Sequence, residues 1–238
     1  MTRAELISAV ALRMDEITPD AGLSVQVDVP AGADNNPLYE LINGLVDSGA
    51  LELFSVAPYF RLPQTSFSDI LLANVGTARS IIDGSQVVGQ RKIIRIKIPD
   101  DFLRVAEIDC TEFHRPITEV VPEQSVEGKR QHNPFLMGKE AKPVGVLSHG
   151  TWGAVNCREI DCYSIPSDSS MPVGNVTATY IAKPASPVDS PTPVSVESVV
   201  PPVLIPALEW LIAARTFGAR GDSAHAQICQ QNAQNLLV

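Results

Sequence analysis

The chain has 238 residues, a formal net charge of −9 and 45% hydrophobic residues, enough to bury a sizeable core in one elaborate domain or two modest ones. The acidic total argues against a free nucleic-acid-binding protein, which normally carries a basic excess. It is compatible with a surface that nucleic acid slides past, since a repulsive wall does not hold its cargo. No run approaches the roughly 18 apolar residues of a membrane span, and the N-terminus has no apolar stretch of the kind that directs secretion.

Taken in order, the chain begins with Thr2-Arg3-Ala4-Glu5, which fits a capping box. Leu6, Val10, Met14 and Ile17 then recur at helical spacing, and Thr18-Pro19-Asp20-Ala21-Gly22 stops the helix. Asn35-Asn36-Pro37 starts a second helix with Pro at the first helical position. Its expected buried stripe is Leu38, Leu41, Ile42 and Leu45, and one long helix to about Val56 is expected despite Gly49. Residues 63–90 read as an irregular excursion holding a short helix or a hairpin.

From Arg91 the period changes to two. Ile94, Ile96 and Ile98 share one strand face, and Arg95 and Lys97 share the other. Further strand-like runs, separated by Pro, Gly, Asn and Asp clusters, continue to residue 183 and suggest an antiparallel sandwich or small barrel. A short helix at "PEQSVEGKRQ" is expected to interrupt them. Residues 184–206 hold seven prolines, so 184–202 reads as an extended linker or arm. "LIPALEWLIAARTF" is apolar nearly all round and is expected to be buried among other elements. The fold class is therefore α+β. Helices from residues 1–62 and 203–238 are expected to pack as a bundle, with a β domain at 91–183 inserted between them.

Candidate chemistry is thin. Cys110 and His114 suggest a thiol with a base, but a buried structural thiol is commoner at the end of an apolar strand. Cys157 and Cys162, with Cys110 and His114, are a conceivable zinc set. Their separation puts the first two on opposite strand faces unless a bulge lies between Val155 and Ile160, where the apolar parity shifts. Arg220-Gly221-Asp222 spells an adhesion tripeptide; the mechanical reading is a glycine turn followed by a helix cap. Asn175-Val176-Thr177 is a glycosylation sequon without a secretory context. No phosphate loop, metalloprotease helix or nucleophile elbow is present, so the expectation is no enzyme, no cofactor, no metal and four reduced thiols.

The basic face of Arg95 and Lys97 reads either as solvated or as a meeting place for an acidic partner or a nucleic-acid backbone. The last helix is more informative. Ala226, Cys229, Ala233 and Leu236 lie near one face, while Gln227, Gln230, Gln231, Asn232, Gln234 and Asn235 cover much of the rest, with no Lys, Arg, Asp or Glu after Asp222. Uncharged amides suit packing against another protein, where they hydrogen-bond without the cost of desolvating ions. Trp210, Gln227, Gln230, Gln231, Gln234, Arg95 and Lys97 are the candidate interface residues. A β-rich host- or carbohydrate-binding module is the alternative, although 5% aromatic residues supply few sugar-stacking platforms.

In combination and order, several segments resemble a known family. "IPDDFLRVAEIDC", "FHRPITEVVPEQS", "RQHNPFLMGKEAKPV", "ATYIAKP" and "PALEWLIAARTFGARGDSAHAQICQQNAQNLL" are similar to the head-to-tail connector, or ring, proteins of short-tailed crAss-like phages of Bacteroidales. The likeness covers about residues 1–62 and 91–237. It implies a non-catalytic virion protein at the portal–tail junction, assembled in the host cytoplasm. It also implies a homo-oligomeric ring, about twelvefold, that contacts the portal protein and adjacent ring or tail proteins. Genomic DNA would pass through it without sequence-specific binding.

Overall fold

The computed structural model describes residues 1–17, 37–74, 82–83, 86–87, 92–131, 136, 138–139, 141–152, 155–165, 176–185 and 195–238. The expected stop signal at 18–22 and start signal at 35–36 lie outside these residues, as does the sequon's Asn175. The protein is α+β and divides into two compact units, Met1–Pro63 with Lys183–Val238, and Gln64–Ala182.

In the first unit, helix α1 (Arg3–Ile17) starts as its sequence dictates. The Thr2 amide donates to Glu5 Oε2 at 2.7 Å, and the Glu5 amide donates to Thr2 Oγ1 at 3.2 Å. This reciprocal cap satisfies two amides that have no partner inside the helix. α2 (Pro37–Val56) is one continuous helix, as expected. Its buried stripe differs from the expected one: Ile42, Val46, Gly49, Ala50, Leu53 and Phe54 are buried, whereas Leu38, Leu41 and Leu45 are only half-buried. The later turns of α2 carry the small residues Gly49 and Ala50, and close approach to a neighbouring helix is possible there.

That neighbour is α5 (Ile205–Ala219), which also touches α1 and α6 (Ser223–Leu237). Contact on several sides explains why α5 is apolar all round. Its one buried acid, Glu209, is neutralised by Arg13 of α1 at 3.1 Å, and Arg215 reaches Glu52 of α2 at 2.6 Å. Of the stretch read as linker, residues 186–194 lie outside the described residues. From Ser195 onward it is not extended: α4 (Val196–Val199) and a 3-10 turn at Pro202–Leu204 precede α5, with Val196, Val200 and Leu204 buried. The Met1 carbonyl accepts from the Val196 amide at 3.0 Å and from Ser195 Oγ at 3.1 Å, which ties this segment to the start of α1.

Among the described residues the second unit contains three sheets. The excursion contributes β1 (Thr65–Ser66), β2 (Ile70–Asn74) and a small antiparallel pair, β3 (Ile82–Asp83) with β4 (Gln86–Val87); its remaining part, 75–81, 84–85 and 88–90, lies outside the described residues. The other strands are β5 (Lys92–Lys97), β6 (Phe102–Cys110), β7 (Val120–Pro122), β8 (Val144–Trp152), β9 (Val155–Ile165) and β10 (Val176–Ala182). They form a three-stranded sheet β1-β10-β6 and a five-stranded sheet β2-β5-β9-β8-β7. Both sheets give side chains to one core, with Ile94, Ile96, Ile160 and Cys162 from one and Phe102, Val105, Ile108 and Tyr180 from the other. The period-two reading of β5 thus selects the correct inward face.

One expectation needs correction. The β region is mixed rather than antiparallel, because β7 runs parallel to β8. The condition under which Cys157 and Cys162 would share a face is not met in the β8–β9 pairing, which runs without interruption from Trp152↔Val155 to Val144↔Tyr163; an irregularity falls between Lys92 and Ile94, opposite Ile165 and Cys162. The expected short helix is present as α3 (Val126–Arg130), capped by Ser125 Oγ, which accepts from the Gly128 amide at 3.0 Å.

Candidate functional site

α6 is placed by a turn that its sequence encodes. Gly221 has φ +82°, which a side chain would strain, and it lets the chain reverse after α5. Asp222 then accepts from the His225 amide at 3.2 Å, and its other oxygen lies 2.6 Å from His225 Nδ1. These two contacts hold the Asp222 carboxyl below the usual carboxylate range. The tripeptide at 220–222 is therefore a turn and a cap.

The face that α6 buries is Cys229, Ala233 and Leu237, at four-residue spacing. Leu236, expected in that stripe, is 44% exposed, because a 4-4 stripe turns it away from α5. The small Cys229 and Ala233 side chains permit close packing, and burial pushes the Cys229 thiol up to about 11. Gln227, Gln230, Gln231, Gln234 and Asn235 are all exposed, with Ile228 and Leu236 exposed among them. The far end is fixed by Arg61, which donates to the carbonyls of Leu236 and Val238, each at 3.1 Å. The result is an exposed surface of amides and two aliphatic side chains.

The remaining candidates lie elsewhere. Trp210 is half-buried, and the Arg13 guanidinium stacks 5.3 Å from its ring centroid. Arg95 is not a solvated base. Its Nε is 3.2 Å from Asp161 Oδ1 and 3.7 Å from Glu159 Oε1, and both acids are buried. Ser148 Oγ lies 3.2 Å from Asp161, and Trp152 Nε1 donates to Glu159 at 3.2 Å. Glu159 crosses directly over Gly150, where a Cβ would collide with its carboxylate. Lys97 pairs with Asp69 at 3.6 Å, with both side chains partly exposed. Sequence reasoning missed the acidic partners; the alternation in "REIDC", which puts Glu159 and Asp161 on one strand face, was the available signal.

The structure places the four thiols apart from the expected base. Cys110 and Cys162 share the β core, burial raises both thiols above the ordinary range, and His114 is exposed. None of the four cysteines is in a disulfide. Among the described residues no group of three His, Cys, Asp or Glu has metal-binding geometry, and no helix is long and apolar enough to cross a membrane. No protein-family model and no curated protein matches the chain.

Proposed function

We propose that this protein is a structural ring subunit joining the capsid portal of a short-tailed phage to its tail, with genomic DNA passing through the ring. The observation that carries the reading is the exposed face of α6, where five amide side chains and two aliphatic ones are mounted without a single formal charge. A surface meant for water usually recruits Lys and Glu. A surface meant for another protein gains from groups that donate and accept hydrogen bonds at low desolvation cost. The net charge of −9 suits a channel wall, because a DNA backbone is repelled rather than held. The resemblance of the ordered segments to connector proteins supplies the specific setting and the approximate twelvefold symmetry.

α6 has 15 residues, a length of about 22 Å, and one helix face falls short of the roughly 800 Å² per partner that a stable interface needs. A ring therefore uses further surface besides α6. The test is native mass spectrometry and negative-stain imaging of the purified protein, alone and mixed with a portal. Rings are expected, and replacing Gln230, Gln231 and Gln234 together by Glu should shift the population toward monomer. A protein that stays monomeric with and without a portal, or a triple variant that assembles like the parent, overturns the reading.

A further inference from the structure

The five-stranded sheet has a notch in it. β5 ends at Lys97, and its last rung is the bond from the Ile98 amide to the Arg158 carbonyl, at 3.0 Å. β9 begins three residues earlier, at Val155, and stays paired to β8 on its other side. By the alternation of an antiparallel ladder, Asn156 turns its N–H and C=O to the side that β5 has vacated. The space there is a cavity of ≈ 390 Å³, with Phe102 and Val155 among its apolar lining and Lys97, Asp100 and Arg158 as its charges. Lys97 already shares its charge with Asp69. Arg158 is exposed and has no carboxylate partner among the described residues, so it is the notch's available cation.

These features fit an extended peptide better than a phosphate backbone. One strand rung and an apolar floor recognise main chain and aliphatic side chains, and Asp69 and Asp100 repel phosphate. One flank of the peptide should be acidic, to meet Arg158. The chain itself offers such an edge. Among the described residues β7 is the outermost strand at one side of the same sheet. The Glu123 amide donates to the Leu147 carbonyl at 3.1 Å, so Val121 and Glu123 face β8 and Val120 faces outward. The next outward position is Pro122, which has no N–H and whose carbonyl already accepts from the Ser125 amide and hydroxyl. That edge can supply one rung, at Val120, beside the exposed Glu119.

We infer that the notch at Asn156 and Arg158 receives the Glu119–Val121 edge of a neighbouring copy, the two pairing as short strands with Glu119 against Arg158. This deepens the ring reading and rests on it. Two different patches of one chain meet, and such a heterologous contact is what generates a closed ring when the rotation closes.

Charge exchange tests it on the full chain. Arg158→Glu and Glu119→Arg both change exposed side chains, so each should melt at the parent temperature, and each should weaken assembly at least tenfold by native mass spectrometry across a concentration series. The double variant should recover most of the loss. Single variants that assemble like the parent, or a double variant that fails to recover, overturn the contact while leaving the ring reading intact. A parent that never assembles overturns both. An Arg158→Glu variant that assembles normally but loses retention of duplex DNA assigns the notch to nucleic acid and likewise overturns the contact.

Discussion

Two glycines of α2 make an internal experiment on helix packing. Gly44 and Gly49 lie in one helix, and Gly→Ala in a helix interior stabilises by about 1 kcal/mol through backbone propensity alone. A Cβ built at Gly44 meets nothing within 4 Å. Gly44→Ala should therefore show that gain undiminished. A Cβ at Gly49 would lie 2.6 Å from Ile212 Cγ1 and 3.7 Å from Leu208 Cδ1, both on α5. Ile212 is fully buried and the clash is with the middle of its side chain, so relief requires α2 and α5 to move apart or Ile212 to leave its rotamer. Overpacking of this kind costs about 1–3 kcal/mol. The propensity term is common to both variants, so their difference isolates the packing term, and Gly49→Ala should be about 1–3 kcal/mol less stable than Gly44→Ala. Urea unfolding followed by helical circular dichroism measures both. Ile212→Ala in the Gly49→Ala background should lose less than Ile212→Ala alone, since the new methyl occupies part of the vacated space. If the two alanine variants agree within about 0.5 kcal/mol, additivity would hold with no contact at Gly49, and the close approach of α2 to α5 is refuted.

Other outcomes follow from single contacts. Arg95→Met should destabilise by about 3 kcal/mol or more, because the buried carboxylates of Asp161 and Glu159 lose their guanidinium, whereas Lys97→Ala, which breaks an exposed pair, should cost under about 1 kcal/mol; thermal unfolding compares them. Asp222→Ala should lower stability by removing the cap on the His225 amide. The Asp222 carboxyl is depressed in the folded state, so its contribution is present above the unfolded value and lost as pH falls through the folded one; a stability–pH series on parent and variant should converge in acid. Cys229 has the opposite sign. Its thiol is raised to about 11, so its contribution is present below the ordinary thiol range and lost as pH rises from there through about 11, and alkylation of Cys229 should lag far behind that of half-buried Cys157 at neutral pH.

Local rules carried much of the reading. The capping box at Thr2 and Glu5, the Gly221-Asp222 turn and cap, the continuous α2, the short α3 and the inward face of β5 are each set by neighbours within a few residues, and such chemistry is written in consecutive letters. The candidate α6 surface was legible for the same reason, since a helix period projects its amides onto a surface whatever lies beneath. The stripes that turn toward other elements were less so. Leu236 and Leu237 are adjacent and equally apolar, and only the approach of α5 decides that Leu237 is buried. α2 likewise buries its later turns because Gly49 can approach Ile212, a partner 163 residues away in sequence.

The strand region divides in the same way. Alternation assigned Ile94, Ile96 and Ile98 to one face, but pairing direction, bulge position and the docking of β1 and β2 depend on partners that no local pattern specifies. Arg95 shows the limit most clearly. Its sequence neighbours make it a surface base, and it becomes half of a buried ion pair only because β9, more than sixty residues later, brings Asp161 beside it. By itself the sequence determined the elements and the faces they carry, since these depend on backbone period and local hydrogen bonds. Which face meets which, and hence which charges are buried and which edge is left open, was decided by the tertiary structure, because those contacts join residues that only folding brings together.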